Sequence, residues 1–128
     1  MRSKQPNPTA AELEILRVLW EGEPLSVREI QRVLNRAKPT GYTTVLKLLQ
    51  IMTEKGLVSR DEKQRPQIYR ARYPREQTQR QLVHDLMQRA FGGSVKALVL
   101  QALAGRKSSR QELEEMEKLL DRIEGEEK

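Results

Sequence analysis

The 128-residue sequence contains no cysteine and a single histidine, His84. Without cysteine there are no disulfide bonds, no thiolate metal ligands and no thiol-based sensor. One histidine does not make a metal site unless several carboxylates converge on it, and His84 lies in a helical pattern that is typical of a surface residue. We therefore expect no metal and no other cofactor.

Aromatic residues are scarce, at 4% of the chain, and hydrophobic residues make up 37%. This hydrophobic content favours one domain of ordinary size, or two small domains that share cores with a partner. No run approaches the roughly 18 apolar residues of a membrane-spanning helix, and no apolar signal-type segment follows the first four residues. The sequence thus predicts a cytoplasmic protein with no membrane insertion.

Catalytic signatures are missing as well. The sequence shows no glycine-rich phosphate loop, no nucleophile with a histidine base and no metal-ligand spacing. Its carboxylates alternate with Lys and Arg, as between Glu112 and Arg122, which is the ordinary pattern of a solvated helix. We do not expect an enzyme.

Positive charge is concentrated in the first part of the chain. The sequence has 24 Lys and Arg against 18 Asp and Glu, a formal net charge of +6. Residues 1–73 hold 14 basic and 8 acidic side chains, whereas residues 74–128 hold 10 of each. A basic segment beside a balanced one is typical of a polyanion-binding module joined to a module with another role.

Residues 26–56 have the pattern of a helix, a short break and a second helix. Ser26 and Glu29 form a capping box, Pro39 cannot continue the first helix, and Gly56 suits the end of the second. The second helix has an apolar stripe formed by Val45, Leu48, Leu49 and Met52. Its polar face is free to meet a partner, which is the layout of a helix-turn-helix recognition helix; plain core architecture is the alternative.

A helix precedes this pair and a β-hairpin follows it. Thr9 and Glu12 form a capping box at the start of the first helix, and the polar residues 1–8 are expected to be loose. Residues 57–60 and 67–73 are strand-like around a polar loop. Three helices followed by such a hairpin predict a winged helix-turn-helix, whose third helix enters the major groove while the wing lies along phosphates.

Residues 74–128 predict three further helices, with Gly92-Gly93 before a short apolar helix capped by Ser94. That helix is richer in apolar residues than a monomer can leave uncovered, so we expect dimerisation; a monomeric helical hairpin folded onto the winged domain is the alternative. The predicted dimer interface is apolar and consists of Leu82, Leu86, Phe91, Val95, Leu98, Val99, Leu100, Leu103, Leu113, Met116 and Leu120. The predicted fold is thus mainly α, with a winged-helix DNA-binding domain at residues 1–73 and a three-helix dimerisation domain at residues 74–128.

Two groups of polar residues are candidates for contacts with double-stranded DNA. Base edges are expected to be read from the first turns of the third helix, by Thr43, Thr44, Lys47 and Gln50. The candidate backbone contacts are Arg28, Lys38, Tyr42, Arg60, Lys63, Arg65, Arg70 and Arg72. Tyr42 also has a core alternative, with its ring packed against the preceding helix.

These features predict a sequence-specific, DNA-binding transcriptional repressor. Winged helices also serve as protein–protein assembly modules, which is one alternative. A repressor gated by a small-molecule effector is another.

Four segments keep their order from residue 8 to about residue 123: PTAAELEIL at 8–16 with Trp20, GYTTVL at 41–46, KGLV at 55–58, and the Gly92-Gly93 step into LVL at 98–100. Together they resemble the BlaI/MecI (penicillinase repressor) family of bacterial transcriptional repressors. The resemblance implies a homodimer whose C-terminal helices interlock and whose paired wings and recognition helices bind a palindromic operator. Relatives block promoters of resistance genes and of their own operon.

Two departures from the family pattern bear on the inducing signal. Members that answer β-lactams are cut at an Asn-Phe bond in the helix after the glycine pair, by a protease linked to a membrane sensor. The matching positions here are Gln101 and Ala102, so a proteolytic switch with a sensor protease as partner stays an open alternative. A copper-responsive branch uses a C-terminal cysteine cluster, which this chain lacks.

Overall fold

The computed structural model describes residues 5–22, 24–104 and 109–126. These residues form six helices and a small antiparallel sheet, which confirms the predicted mainly α class and its winged-helix arrangement. The elements in chain order are α1 (Ala10–Glu21), β1 (Leu25–Ser26), α2 (Val27–Ala37), α3 (Tyr42–Lys55), β2 (Val58–Asp61), β3 (Ile68–Ala71), α4 (Arg75–Ala90), α5 (Val95–Leu103) and α6 (Arg110–Glu126).

Both predicted capping boxes are present. At the start of α1, Thr9 Oγ1 accepts the Glu12 N–H at 3.2 Å, and Glu12 Oε1 accepts the Thr9 N–H at 2.9 Å. At the start of α2, Ser26 Oγ accepts the Glu29 N–H at 3.3 Å, and Glu29 Oε1 accepts the Ser26 N–H at 2.9 Å. Each box satisfies N–H groups that the first turn of a helix leaves without partners, so both helix starts are set by local sequence.

The turn between α2 and α3 is held by two side chains of α2, which bond the backbone N–H and the backbone carbonyl of Thr40. The Thr40 N–H donates to Asn35 Oδ1 at 2.8 Å, and Gln31 Nε2 donates to the Thr40 carbonyl at 3.1 Å. α3 then begins after Gly41 and ends at Gly56, whose φ of 81° is the left-handed conformation that glycine adopts without strain. The start of α3 is therefore fixed relative to α2.

The sheet has the order β1-β3-β2, and both pairs are antiparallel. The predicted hairpin is confirmed as β2 and β3, with Arg60 opposite Tyr69 and Ser59 opposite Arg70. Tyr69 is buried, whereas Arg70 is exposed, as the alternation predicts. β1, which pairs through Leu25 with Tyr69, was not predicted.

One hydrophobic core holds the three helices and the sheet together. Its buried members are Ile15, Leu16, Leu19, Val27, Ile30, Val45, Leu49, Met52, Leu57, Val58 and Tyr69. Every element from α1 to β3 except β1 contributes a side chain to this set. Because α3 contributes three of them, it cannot shift along its axis without opening the core.

The segment before α1 is not loose where the structure describes it, so that prediction is wrong for residues 5–8; residues 1–4 lie outside the described residues. Gln5 is 6% exposed and donates through Nε2 to Thr78 Oγ1, which lies in α4, at 2.7 Å. The reason is a long-range partner, 73 residues away, that local composition does not reveal. The segment is thereby attached to the first half of α4.

The chain forms two compact units, Met1–His84 and Asp85–Lys128, and α4 begins in the first and ends in the second. In the second unit, none of the side chains described between residues 85 and 122 is buried. In this part of the chain Ser94 caps α5, as predicted, with its Oγ accepting the Ala97 N–H at 3.0 Å. The division of roles at residues 73 and 74 stays a prediction.

Candidate nucleic-acid interface

α3 has an inner face that anchors it and an outer face that is polar. Val45, Leu49 and Met52 are 0% exposed and belong to the core. Thr43, Lys47 and Gln50 are all exposed, and their spacing of four and three residues brings them onto one face of the helix. Three of the four predicted base-reading residues therefore form a continuous polar stripe over about two turns.

The fourth predicted reader, Thr44, is also exposed, beside this stripe at the helix start. The first turn of α3 contains no acidic residue, and Gly41 provides no side-chain cap. The first N–H groups of α3 thus face no side-chain carboxylate from their own turn, which is the electrostatic condition for approach of a phosphate.

Tyr42 lies at the start of α3 and is 40% exposed, so it is not a core residue. The Arg28 guanidinium of α2 lies over the ring, 5.0 Å from its centroid. This is within the range of a cation–π contact, which orients the guanidinium without neutralising its charge. Two predicted backbone contacts, Arg28 and Tyr42, are therefore brought together.

A cleft of about 650 Å³ adjoins this pair, between α2, the start of α3 and the loop before β3. Arg28, Arg32 and Tyr42 line it, together with Pro66 and Gln67 from the loop. Arg32 was not among the predicted contacts. Its position one helical turn after Arg28 is the signal that identifies it, because residues four apart lie on the same helix face.

The hairpin carries three of the predicted backbone contacts at or near its tip. Lys63 and Arg65 are exposed in the loop between β2 and β3. Arg60 is also exposed, and its Nη2 lies 2.6 Å from Glu62 Oε1, an ion pair that raises the pKa of the guanidinium. Arg60 must leave Glu62 before it can bind a phosphate, and Lys63 and Arg65 are the better candidates.

The remaining backbone candidates are spread over the winged domain. Lys38 is exposed in the turn before α3, and Arg70 is exposed on β3. Arg72 Nη1 lies beside Gly56, 3.4 Å from where a Cβ of that residue would be. Since Gly56 ends α3, the structure places the Arg72 head at the opposite end of α3 from Thr43 and does not join it to the polar stripe.

The predicted interface residues of the second unit present apolar surface. Leu86, Val95, Leu100, Leu113 and Leu120 are between 47% and 57% exposed. Four others in α5 and α6, together with Phe91, are half-buried: Leu98, Val99, Leu103 and Met116. Leu82 belongs to the first unit, where it is half-buried and lines a small cleft with Leu13 and Trp20.

The remaining predictions concern features outside the polar stripe. Gln101 and Ala102, which the sequence resemblance left as an open proteolytic switch, are both exposed in α5. His84 is exposed as well. Among the residues that the structure describes, no group of three or more His, Cys, Asp or Glu side chains is arranged to hold a metal ion, and no helix is both long and apolar enough to cross a membrane.

Comparison with known proteins places the chain in a family. The penicillinase repressor family model matches residues 8–122. The chain is 21% identical over 123 residues to a penicillinase repressor from Staphylococcus aureus, covering 96% of this chain and 98% of that protein. It is 22% identical over 118 residues to a penicillinase repressor from Bacillus licheniformis, covering 92% of each.

A solved structure of a MarR family protein from Bacillus stearothermophilus is also similar to the chain. It has a TM-score of 0.49 and 20% identity, and the match covers 93% of this chain and 74% of that one. The resemblance seen in the sequence is confirmed by the family match, which extends over all the elements from α1 to most of α6. The chain belongs to the penicillinase repressor family.

Proposed function

We propose that the chain is a transcriptional repressor that binds a palindromic operator as a homodimer and reads base edges with α3. Membership of the penicillinase repressor family supports the role of DNA-binding repressor. The choice of reading element rests on the geometry of the winged domain.

The observation that carries the proposal is the division of α3 into two faces. Its inner face is fixed by Val45, Leu49 and Met52, which are fully buried. Its outer face offers hydroxyl, ammonium and amide groups, which are the groups that hydrogen-bond to base edges in the major groove. A polar face on a rigidly held helix is what direct readout requires.

Cations around α3 support contacts with the DNA backbone. Arg28 and Arg32 border the cleft next to the start of α3, and Lys63 and Arg65 lie at the hairpin tip. Phosphate contacts position a protein on the duplex without reading its sequence. Arg70 is a further exposed cation, on β3. We therefore assign Thr43, Lys47 and Gln50 to specificity and these five cations to affinity.

The surface of the second unit supports dimerisation. Its side chains described between residues 85 and 122 include none that is buried, although Val95 and Leu100 are each 57% exposed and Leu119 is 53% exposed. Isolated exposed leucines are common, but a helical unit that buries no side chain lacks the core needed for independent stability. A second copy supplies that core most simply, because an isologous dimer places the same apolar faces against each other.

Selection from a library of random DNA duplexes tests sequence recognition directly. The proposal expects recovery of an inverted repeat, and the affinity for it should fall on the order of a thousandfold between 50 and 200 mM salt if a dimer neutralises roughly six to ten phosphates. Enrichment of no motif, with equal binding to every duplex, would contradict sequence-specific repression.

Three alanine variants separate reading from positioning. Lys47→Ala should weaken binding to the selected duplex more than to random duplex, whereas Arg70→Ala should weaken both about equally. Lys118→Ala removes the same charge from an exposed position of α6 and should leave both affinities unchanged. If Lys47→Ala and Arg70→Ala reduce both affinities by the same factor, α3 is not the reading element.

Dimerisation is tested on α5 with a matched pair of substitutions. Leu100→Glu places a charge on the apolar surface and should produce monomers that bind a half-site weakly. Gln101→Glu adds the same charge one residue further on, at an exposed polar position, and should remain dimeric. Sedimentation velocity measures both; a Leu100→Glu protein that stays dimeric would refute the assigned interface.

A further inference from the structure

A second cleft of about 650 Å³ lies in the winged domain between the end of α1, β3 and the first turn of α4, and none of the described residues that line it belongs to α3. It opens where β1 stops: among the described residues, β1 pairs with β3 only at Ile68 and Tyr69. Gly22 and Pro24 border the space beside Arg70. Because proline has no N–H with which to extend the pairing, the edge of β3 after Tyr69 faces a cleft instead of a strand.

Three arginines from two elements line this cleft. Arg70 and Arg72 are two residues apart at the end of β3, so their side chains leave the strand on the same side, and Arg75 comes from the first turn of α4. Among the described residues, none of the three is ion-paired with a carboxylate, and Glu76 is the one acidic residue in the lining. The cleft therefore carries an excess of positive charge.

Two aromatic side chains form the wall beside these arginines. Trp20 and Tyr73 both line the cleft and are half-buried. Trp20 Nε1 donates to the Tyr73 carbonyl at 3.1 Å, and Arg75 Nη2 donates to the Trp20 carbonyl at 3.3 Å, so the indole and one guanidinium are both held at the cleft. We call the space lined by Arg70, Arg72, Arg75, Trp20 and Tyr73 the arginine cleft.

The chemistry of the arginine cleft fits a small anion that carries a flat ring. Guanidinium groups bind carboxylates and phosphates through paired hydrogen bonds, and aromatic side chains stack against flat rings. The cleft has the volume of an ordinary small-molecule site. Three cations against one carboxylate leave two positive charges to be matched, so the ligand should carry two negative charges.

We propose that the arginine cleft binds a small dianion with a flat ring, and that this binding weakens the contact of the winged domain with DNA. Arg70 connects the two events, because it lines the cleft and is also one of the cations that we assign to DNA affinity. A guanidinium engaged by a bound anion no longer attracts a phosphate. The effect on DNA rests on the proposed function, whereas binding in the cleft does not.

Trp20 provides a direct assay of binding, because it is the single tryptophan of the sequence. The full-length protein is titrated with phthalate, a ring with two carboxylates, and with AMP, a ring with a phosphate. At least one of them should change the Trp20 fluorescence with saturation below roughly 1 mM, and the stronger of the two identifies the preferred acid group. Inorganic phosphate should bind roughly tenfold more weakly or less, and uncharged benzamide should not saturate.

Matched substitutions locate the binding site. Arg72→Gln and Arg75→Gln should each raise the dissociation constant of the bound probe roughly three- to tenfold, whereas Glu76→Gln should lower it. Arg80→Gln makes the same change at an exposed position of α4 outside the cleft and should have no effect. Urea unfolding of each variant establishes that it is folded, and a dissociation constant does not depend on the starting fluorescence.

Fluorescence anisotropy with labelled duplexes then measures the link to DNA. A saturating probe should lower the affinity for the selected and the random duplex by the same factor, roughly three- to tenfold, because a backbone contact is lost rather than a base contact. At the same probe concentration Arg75→Gln should lose less affinity, which separates occupation of the cleft from the added ionic strength.

Separate results would overturn each part of the inference. Saturation by neither phthalate nor AMP would exclude the ligand class, and equal binding of inorganic phosphate would exclude recognition of the ring. A dissociation constant unchanged in both Arg72→Gln and Arg75→Gln would place the probe elsewhere. An unchanged duplex affinity at saturation would refute the link to DNA. If wild type binds the selected duplex no better than random duplex, the proposed function fails, and the Trp20 titration still decides whether the cleft is a binding site.

Discussion

Replacing Glu12 by glutamine tests the ion pair that joins the start of α1 to the end of α3. Glu12 is 2% exposed, and its Oε1 lies 2.6 Å from Lys55 Nζ while also accepting the Thr9 N–H at 2.9 Å. The glutamine side chain has nearly the same shape and keeps one carbonyl oxygen. The substitution therefore removes the charge with little change in packing.

The expected loss of stability follows from the two hydrogen bonds whose acceptor is no longer charged. A hydrogen bond to a charged group contributes about 1.5 to 3 kcal/mol, and a neutral one about 1 kcal/mol. Two bonds are weakened, but glutamine also escapes the cost of burying a charge, and Lys55 can turn toward water because its side chain is 31% exposed. We expect Glu12→Gln to lower the free energy of unfolding by about 1 to 3 kcal/mol. Lys55→Met leaves the carboxylate buried without a cation and should lower it by about 3 kcal/mol or more.

The effect should depend on pH in one direction. Burial raises the pKa of Glu12, but hydrogen bonds from Lys55 and Thr9 outweigh it and hold the pKa below its ordinary value of 4.5. The unfolded chain then binds the proton more readily, so the pair stabilises the fold fully above pH 4.5 and loses its contribution as the pH falls through the folded pKa. The difference in the free energy of unfolding between wild type and Glu12→Gln should therefore shrink as the pH falls below the folded pKa of Glu12.

Urea unfolding at pH 7 and at a series of lower pH values measures this gap. Glu14→Gln is the matched control, because Glu14 is exposed on the same helix and its loss should change the stability by less than about 0.5 kcal/mol. A Glu12→Gln protein as stable as wild type at pH 7, or a gap that stays constant into acid, would refute the reasoning.

Three further substitutions test the packing and the interface of α3. Gly56→Ala places a Cβ on a residue with φ of 81°, beside Arg72, and should lower the free energy of unfolding by about 1 to 2 kcal/mol. An unchanged urea midpoint would show that the alanine is not strained at this position. Tyr42→Phe keeps the ring under Arg28 and should retain operator affinity, whereas Tyr42→Leu should lower that affinity roughly three- to tenfold. Equal operator affinities of the two variants would exclude a role for the cation–π contact. Leu49→Ala empties a fully buried position and should lower stability by about 2 to 5 kcal/mol in the same unfolding assay, where a loss under 1 kcal/mol would mean that α3 is not held by the core.

The helix starts of the winged domain could be predicted from sequence because their determinants are local. Each capping box joins two residues that are three positions apart, Thr9 with Glu12 and Ser26 with Glu29, so a stretch of four residues is enough to identify it. The left-handed end of α3 at Gly56 is equally local. The inner face of α3 followed from its helical period, because burial of one face imposes that period on the sequence.

Features that depend on distant partners were missed. β1 has two residues, too few for any alternation, and exists because β3 lies beside it. The bond between Gln5 and Thr78 joins residues 73 positions apart, and the pair of Glu12 and Lys55 joins residues 43 positions apart. Neither partner in these pairs differs locally from an ordinary polar surface residue.

The candidate interface divides in the same way. The stripe of Thr43, Lys47 and Gln50 is a property of one helix and was predicted. Which arginines accompany it is a property of the fold. Arg32 was missed, and Arg72 was predicted as a backbone contact although its head lies at the far end of α3 from the stripe. Counting cations along the sequence gives the net charge of a module but not the face on which each charge lies.

The two ends of α3 have different surroundings, and this difference links stability to recognition. At its C-terminal end Lys55 is engaged with Glu12, and Glu54 continues the outer stripe with a carboxylate that phosphates would repel. At its N-terminal end the outer face carries only uncharged or basic side chains through Gln50. DNA contact should therefore be confined to the first turns, while the last turn holds the helix in the body of the domain. Because a helix is stiff, holding its last turn in place also determines the position of its first turns. Disrupting the ion pair between Lys55 and Glu12 should therefore lower the affinity for the operator as well as the stability of the domain.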